Sequence, residues 1–267
     1  AIDPIAISLG PLQIHWYGIS YLLAFATAWY LARRNARRPW SPLGENQVED
    51  LIVYGAWGVI AGGRLGYMFF YNTDKWLADP AMLLRIWEGG MSFHGGLIGV
   101  AIAIFIYARK HRVSFLTLTD FAVPLVPTGL FFGRMGNFIG QELYGRPTDV
   151  PWGMLFPSDP TQLPRHPSQL YEALLEGLVL FLIISWFARK PRLAGEITGL
   201  FLVLYGCFRF MVEFVREPDA QFAGQTAMIE SLNWMTRGQA LCIPMVLLGL
   251  WFMRKTLQRL MARPVTH

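Results

Sequence analysis

Seven long runs of mostly apolar residues constrain the fold of this chain more than any other feature of its sequence. They cover residues 14–32, 50–71, 94–109, 115–133, 169–188, 196–215 and 238–255. A helix needs about 20 apolar residues to cross the hydrocarbon core of a bilayer. We therefore predict an all-α, polytopic membrane protein with about seven transmembrane helices. The fourth run contains Asp120, Pro124, Pro127 and Gly129, so we expect that helix to be kinked or broken.

Basic residues predict the orientation of these helices. They form four clusters, after the first, third, fifth and seventh runs: Arg33, Arg34, Arg37 and Arg38; Arg109, Lys110 and Arg112; Arg189, Lys190 and Arg192; Arg254, Lys255, Arg259 and Arg263. Lys and Arg accumulate in cytoplasmic segments, so we expect an outward N-terminus and a cytoplasmic C-terminus. Because the positive charge is divided among these clusters, the net charge of +5 does not indicate a nucleic-acid partner.

The outward connections are longer than the cytoplasmic ones and rich in Pro, Gly, Trp and Asp. They cover residues 72–93, 134–168 and 216–237. Irregular backbone at membrane depth is stable only when it is buried in protein or lines a polar cavity. We expect a single integral membrane domain over residues 1–267, with an outward-facing cap formed mainly by residues 134–168 and 216–237. No signal-peptide pattern is visible in residues 1–12, so we expect the first helix to direct insertion.

Several ionisable side chains lie inside the apolar runs, where a charge is costly and normally faces a polar interior. Arg64 and Arg134 each lie beside glycines, in Gly-Arg-x-Gly sequences. In the sixth run, Tyr205, Arg209 and Glu213 are spaced four apart and therefore share one face of a helix. Structural ion pairs, such as Arg209 with Glu213 or Arg64 with Glu142, would explain each group about as well as a functional role. The glycines favour a functional role, because they allow close backbone approach around a fixed guanidinium. A guanidinium presents paired N–H donors that match phosphate oxygens.

His94 and Tyr17 are the candidates for proton transfer. His94 lies among glycines at the start of the third run, and an unperturbed imidazole has a pKa of about 6.5. A hydrogen-bonded structural histidine is the competing interpretation. Tyr17 lies where interfacial anchors are common. Farther along, the pattern of residues 164–172 predicts the start of a helix, with Ser168 as the N-cap and Glu172 in the first turn.

Seven motifs together resemble the bacterial prolipoprotein diacylglyceryl transferase family. They are HWYG at 15–18, GGRLGY at 62–67, MSFHGGL at 91–97, GRMGNFI at 133–139, ELYGR at 142–146, RHPSQLYE at 165–172 and YGCFR at 205–209. The resemblance covers nearly the whole chain. One departure is Gly140-Gln141, where the family commonly has a second asparagine after the isoleucine; Gln141 could supply an amide from the neighbouring position.

The resemblance implies transfer of a diacylglyceryl group from phosphatidylglycerol to the lipobox cysteine of a prolipoprotein, which also brings its apolar signal segment. It implies an enzyme of the bacterial inner membrane that is surrounded by membrane lipid and has its active site towards the periplasm. The nucleophilic thiol belongs to the substrate, so Cys207 and Cys242 need no catalytic role, and we expect neither a cofactor nor a metal.

We assign catalytic roles on that basis. Arg134 and Arg209 would bind the lipid phosphate and the leaving group, and His94 would accept the thiol proton, with Tyr17 as the alternative. The head-group pocket would also include Asn137, Glu142, Gly145, Tyr205 and Glu213. Arg64 could be a third phosphate contact, although a structural role explains it equally well.

Two other classes of protein share some of these features. A transporter for an anionic solute could also use a broken helix and buried arginines. Against it, no internal repeat is visible, and the special residues collect near one face of the membrane. A non-catalytic lipid-binding scaffold would explain the arginines but not His94 and Tyr17 beside them.

Overall fold

The computed structural model is mostly helical, and helical segments cover most of each of the seven apolar runs. It describes residues 5–9, 12–85, 92–217 and 235–261. The named elements are β1 (Ile5–Leu9), β2 (Leu12–His15), α1 (Trp16–Ala36), α2 (Glu45–Tyr71), α3 (Thr73–Ala78), α4 (Phe93–His111), α5 (Phe115–Ala122), α6 (Val126–Ile139), α7 (Ser168–Glu172), α8 (Leu180–Phe187), α9 (Glu196–Val212) and α10 (Arg237–Met261). Short 3₁₀ segments cover Pro80–Leu84 and Val123–Leu125, and a π segment covers Ala173–Val179.

A short hairpin is the exception to the all-α expectation. Strands β1 and β2 pair antiparallel, with Ser8 opposite Gln13 and Ile7 opposite Ile14. The predicted first helix included residues 14 and 15, but these belong to β2, so the helix begins at Trp16. Apolar and polar residues alternate along these segments, as the period of a strand requires. The first two residues of the apolar run, Ile14 and His15, are the last two of β2, so the run alone did not reveal the boundary.

Two helical stretches are interrupted without being terminated. Between α5 and α6, Pro124 lies in the 3₁₀ segment, which confirms the predicted break in the fourth run. Between α7 and α8, the π segment inserts a wider turn, a distortion frequent at functional sites. Among the described residues, these two stretches, Phe115–Ile139 and Ser168–Phe187, are the helices long and apolar enough to cross a membrane.

Contacts divide the chain into two compact units, residues 32–121 and residues 1–31 with 122–267. In the first unit, α2 packs against α4 through Gly58, Gly62 and Gly66 on one side and Gly95 and Gly99 on the other. A methyl group on Gly58 would lie 2.6 Å from the carbonyl oxygen of Gly99. The glycines of the 62–67 and 91–97 motifs therefore allow two helices to touch.

In the second unit, glycine brings the π segment against α6. A methyl group on Gly177 would lie 2.7 Å from Cβ of Phe131. Similarly, α9 approaches α10 where a methyl group on Gly199 would lie 2.8 Å from the carbonyl oxygen of Gly249. The first of these contacts matters for function, because α6 and the π segment both carry ionisable residues near it.

Candidate active site

Six charged side chains from three helical segments meet in the unit formed by residues 1–31 and 122–267. They come from α6, from the stretch that runs from α7 into the π segment, and from the end of α9 with the turn that follows it. We call this set the interhelical cluster; its members are Arg134, Glu172, Glu176, Arg209, Glu213 and Arg216.

Glu172 contacts all three arginines of the interhelical cluster. Its Oε2 lies 2.7 Å from Nη2 of Arg134 and 3.1 Å from Nη1 of Arg209. Its Oε1 lies 3.4 Å from Nε of Arg216. The carboxylate is fully buried, at 0% exposure. Guanidinium groups repel one another, so a shared buried carboxylate is what allows three of them to converge.

The face of α9 predicted from the spacing of its polar residues is the face that meets the cluster. Arg209 Nη2 lies 3.2 Å from Oε2 of Glu213, so the ion pair considered from the sequence is present. Oε1 of Glu213 also accepts a hydrogen bond from Thr236 Oγ1 at 3.1 Å. One turn earlier, Tyr205 interacts electrostatically with Glu176 and Arg209. Tyr205 therefore belongs to the surroundings of the interhelical cluster.

Two of the arginines keep part of their surface accessible while the central carboxylate does not. The side chains of Arg134 and Arg209 are 19% and 17% exposed, whereas Glu172 is 0% exposed. The glutamate thus holds the guanidinium groups from the buried side. Guanidinium N–H donors match the oxygens of carboxylates and phosphates in pairs. The arrangement can therefore bind an anion on its accessible side.

The end of α6 gathers three more of the predicted site residues around Arg134. Nη1 of Arg134 donates to Oδ1 of Asn137 at 3.5 Å, a long hydrogen bond. Tyr17 packs on the same helix, since a methyl group on Gly136 would lie 3.3 Å from Cδ2 of Tyr17. Both Arg134 and Glu142 interact electrostatically with Tyr17. Asn137 and Tyr17 thus lie near Arg134, one of the two accessible arginines, and Glu142 lies near Tyr17.

Gly145 acts through its backbone. Its amide donates to the carbonyl oxygen of His166 at 2.8 Å, and it forms a β-bridge with Arg216. A methyl group at this position would lie 2.8 Å from Cβ of His166. The residue is buried, so there is no space for that methyl group. Gly145 therefore ties the connection after α6 to the backbone of Arg216, which is a member of the interhelical cluster.

The departure at Gly140-Gln141 has a local explanation. Gln141 adopts a left-handed conformation with φ of 58°. Its Oε1 accepts from the backbone amide of Ser158 at 3.1 Å, and its carbonyl oxygen accepts from Ser158 Oγ at 2.7 Å. The side-chain amide of Gln141 therefore holds the 140–167 connection together.

A second set of polar side chains joins that connection to Glu217, which follows α9. We call it the loop cluster, and its members are Asp159, Thr161, Arg165 and Glu217. Nε of Arg165 donates to Oδ2 of Asp159 at 2.6 Å, and its Nη1 donates to Oε2 of Glu217 at 2.8 Å. The hydrogen bond from Arg165 lowers the pKa of Asp159 to about 2. The same bond raises the pKa of Arg165. Thr161 completes the set, donating to Asp159 and accepting from Arg165.

Arg64 and His94 belong to the other unit, residues 32–121. Arg64 is buried and donates to the backbone carbonyl oxygens of Met82 at 2.5 Å and Arg85 at 2.8 Å. These bonds fix the segment around Pro80–Leu84, and they support the structural interpretation of Arg64. His94 lies in the first turn of α4, after the N-cap Ser92. Its side chain, like residues 86–91 and 218–234, lies outside what the structure describes.

Three members of the interhelical cluster escaped the sequence analysis. Glu172 was interpreted as a helix-entrance residue, and Glu176 and Arg216 were not considered. Ser168 was expected to cap α7, but its hydroxyl donates to the carbonyl oxygen of Leu143 at 3.1 Å, and the N-cap is Pro167. A usable signal was present, because Glu172 and Glu176 are four apart at the start of an apolar run.

Comparisons with known proteins agree with this arrangement. A family profile described as "Prolipoprotein diacylglyceryl transferase" matches residues 4–255. Three relatives are named phosphatidylglycerol–prolipoprotein diacylglyceryl transferase. The protein of Methylococcus capsulatus is 56% identical over 94% of each chain. That of Teredinibacter turnerae is 53% identical over 93% of this chain and 88% of its own. That of Acinetobacter baylyi is 52% identical over 97% of this chain and 93% of its own.

These matches cover almost the full length of the chain, and the profile match over residues 4–255 includes every position of the interhelical cluster. They decide among the classes that the sequence analysis left open, since neither a transporter nor a non-catalytic scaffold carries such a name. The chain belongs to the prolipoprotein diacylglyceryl transferase family, a family of membrane enzymes.

Proposed function

We propose that this chain transfers the sn-1,2-diacylglyceryl group of phosphatidylglycerol to the lipobox cysteine of a prolipoprotein. The products are a thioether and glycerol phosphate, and the reaction is the first step of lipoprotein maturation. The names of the relatives supply the two substrates. The structural observation that carries the proposal is the convergence of three arginines on buried Glu172, with Arg134 and Arg209 still accessible.

The chemistry explains why arginine is needed. Sulfur forms a bond to the sn-3 carbon of glycerol while the carbon–oxygen bond breaks, and the electron pair of that bond leaves with the phosphate. The departing phosphate gains negative charge. Fixed donors aimed at such a charge in a water-poor site typically contribute about 3 kcal/mol each. We assign this role to Arg134 and Arg209, which cannot act as bases because they stay protonated.

The head-group pocket follows from the residues around those arginines. Asn137 contacts Arg134, and Glu213 pairs with Arg209. Tyr205 and Glu142 lie within electrostatic range of the arginines or of Tyr17. Gly145 contributes by fixing the backbone at Arg216. In this proposal, the polar groups orient the glycerol head group, and the acidic ones hold the guanidinium groups in place.

The thiol proton needs an acceptor, because a thiol with a pKa of about 8.5 is mostly protonated at neutral pH. We propose His94 as the base and Tyr17 as the alternative. The hydroxyl of Tyr17 lies 2.9 Å from that of Tyr21, so it already has a partner through which a proton can pass. We keep Arg64 as a third phosphate contact only as an alternative, since its side chain already donates hydrogen bonds to backbone carbonyl oxygens.

For the membrane, we propose a single multi-pass domain in the bacterial inner membrane. It has seven spans, an outward N-terminus, a cytoplasmic C-terminus and a periplasmic cap from residues 134–168 and 216–237. Large apolar side chains exposed on the helices support it: Leu22 and Phe25 on α1, Trp57 on α2, Phe105 on α4, and Leu247 and Trp251 on α10. Such surfaces are rare in water and ordinary against lipid.

A detergent-phase transfer assay tests the function. Labelled diacylglyceryl is followed from phosphatidylglycerol to a lipobox peptide with wild type, Arg134→Ala, Arg209→Ala, His94→Gln and the control Arg34→Ala. Arg34 is an exposed member of the first basic cluster. We expect transfer to disappear in the two arginine variants and to persist in the control. A folded wild-type protein without transfer, in several lipids and detergents, would refute the proposed function.

A further inference from the structure

Glu176 is the one member of the interhelical cluster whose charge the other members leave poorly compensated. It is fully buried in the π segment. Within the described residues, neither oxygen of its carboxylate has a hydrogen-bond partner. Its ion-pair contact is long, 3.8 Å from Oε1 to Nη1 of Arg209. A buried carboxylate without hydrogen bonds is stable mainly in its protonated form.

The groups that face Glu176 come from each helix packed against it. Arg134 faces it from α6, Glu172 from its own helix, and Arg209 and Glu213 from the α9 segment. Tyr205 also interacts with it from α9. Two of these neighbours are anionic and two are cationic, and the nearest cation already serves Glu172 and Glu213. Removing the charge of Glu176 therefore leaves the other pairs intact.

Charge balance then distinguishes two states of the cluster. With all three glutamates ionised, the three arginines are neutralised, and an added phosphodiester would leave one uncompensated negative charge in a buried site. With Glu176 protonated, the cluster carries one net positive charge, which equals the charge of one phosphodiester. A protonated carboxyl group can also donate a hydrogen bond, whereas an ionised one cannot.

We propose that the cluster admits the lipid phosphate with Glu176 protonated, so that at a pH high enough to ionise Glu176 in the free protein, binding of phosphatidylglycerol is coupled to uptake of one proton. This inference rests on the proposed function, because it takes the phosphodiester of the donor lipid as the ligand. Glu176 acts here as a positioning residue that sets the charge of the site. Proton uptake comes from solvent at the binding step, before the thiol reacts.

The test measures binding of phosphatidylglycerol without peptide, from about pH 6 to about pH 9. For wild type, the affinity should fall as the pH rises, by up to about tenfold per pH unit once free Glu176 is ionised. Glu176→Gln mimics the protonated state, so its affinity should lack this decline and exceed that of wild type at the highest pH. Glu176→Asp keeps an ionisable group and should keep the decline.

Glu196→Gln is the matched control. Glu196 is also buried, on α9, but its carboxylate accepts from the backbone amide of Leu193 and pairs with Thr256. Its variant should keep the wild-type pH dependence. A second measurement needs no variant: an indicator dye should report about one proton taken up per bound phosphatidylglycerol at high pH. Diacylglycerol with the same acyl chains, which lacks the phosphate, should cause no uptake.

The outcomes separate this inference from the proposed function. If wild type binds and transfers the lipid but takes up no proton at any pH, the inference fails and the function stands. The same holds if Glu176→Gln folds and keeps the wild-type pH dependence. If the lipid neither binds nor reacts, both fail. Should Glu176→Gln not fold, the proton-uptake measurement on wild type decides.

Discussion

The loop cluster and the interhelical cluster both pair arginine with carboxylates, but they differ in how closely those charges are paired. In the loop cluster, one arginine has two carboxylate partners at 2.6 and 2.8 Å, and Asp159 also accepts from Thr161. In the interhelical cluster, three arginines share three glutamates, with contacts as long as 3.6 and 3.8 Å. Arg165 is buried, whereas Arg134 and Arg209 remain partly accessible.

This difference supports the proposal that the interhelical cluster binds the ligand and that the loop cluster stabilises the fold. A saturated, buried ion pair has no donor to offer, and removing one partner leaves an uncompensated charge. The partly accessible guanidinium groups of Arg134 and Arg209 can present donors to an incoming anion. The kind of residue does not separate the two, since both sets contain conventional ion pairs. What separates them is whether the hydrogen bonds are complete.

The largest expected effect comes from exchanging arginine for lysine in each cluster. Arg134→Lys and Arg209→Lys keep the charge but lose the fork, so we expect transfer to fall about 100-fold or more with the fold retained. Arg165→Lys should lower the melting temperature while the folded fraction keeps its activity within about threefold. Transfer rates and melting curves on the same preparations check this. If folded Arg165→Lys lost as much activity as Arg134→Lys and Arg209→Lys, the distinction between the loop cluster and the interhelical cluster would be wrong.

Gly145 tests whether the two clusters are linked. Its carbonyl oxygen accepts from Arg165 Nη1 at 3.5 Å, and its backbone pairs with Arg216. Gly145→Ala forces a methyl group into His166, so we expect about a tenfold loss of transfer together with lower stability. Gly129→Ala is the control. No atom lies within 4 Å of a methyl group there, so that variant should be stabilised by about 0.5 kcal/mol.

Tyr17 tests how far the functional region extends beyond the interhelical cluster. Tyr17→Phe removes one hydroxyl of the Tyr17–Tyr21 pair, and Tyr21→Phe removes the other. If the Tyr17 hydroxyl contacts substrate, Tyr17→Phe should lower kcat/KM about fivefold and Tyr21→Phe about twofold or less. Steady-state kinetics with the lipobox peptide distinguish them. If both variants lower kcat/KM equally and only slightly, Tyr17 serves as an interfacial anchor and does not contact the substrate.

The smallest effect at neutral pH concerns the stability of the loop cluster. The pKa of Asp159 is lowered to about 2, below the ordinary value of about 3.9. Its stabilising contribution is therefore complete above about pH 4 and is lost as the pH falls through about 2. Melting temperatures of wild type should decline through this window more than those of Asp159→Asn. If the melting temperatures of the two proteins fall equally in this window, a group other than Asp159 causes the loss of stability in acid.

The sequence predicted the positions of the helices well, because each apolar run is long and bounded by charged or loop residues. It also singled out Arg134, Arg209 and Glu213, which meet in the interhelical cluster, since a charge within an apolar run is unusual. It missed Glu172 and Glu176 because an acidic residue near a helix start has an ordinary explanation. Their importance depends on which helices are neighbours, and a single sequence does not encode that adjacency in any local pattern. The β1–β2 hairpin was missed for a similar reason, since half of it lies beside an apolar run.

The glycine contact between α2 and α4 has a consequence for inhibition. Gly62 and Gly95 place two backbones in direct contact, and the nearest atoms that a methyl group would meet at either position belong to the opposing backbone. Any single substitution there inserts at least a methyl group into the opposing helix. A compound that binds against this seam would therefore leave a bacterium few tolerated mutations through which to become resistant.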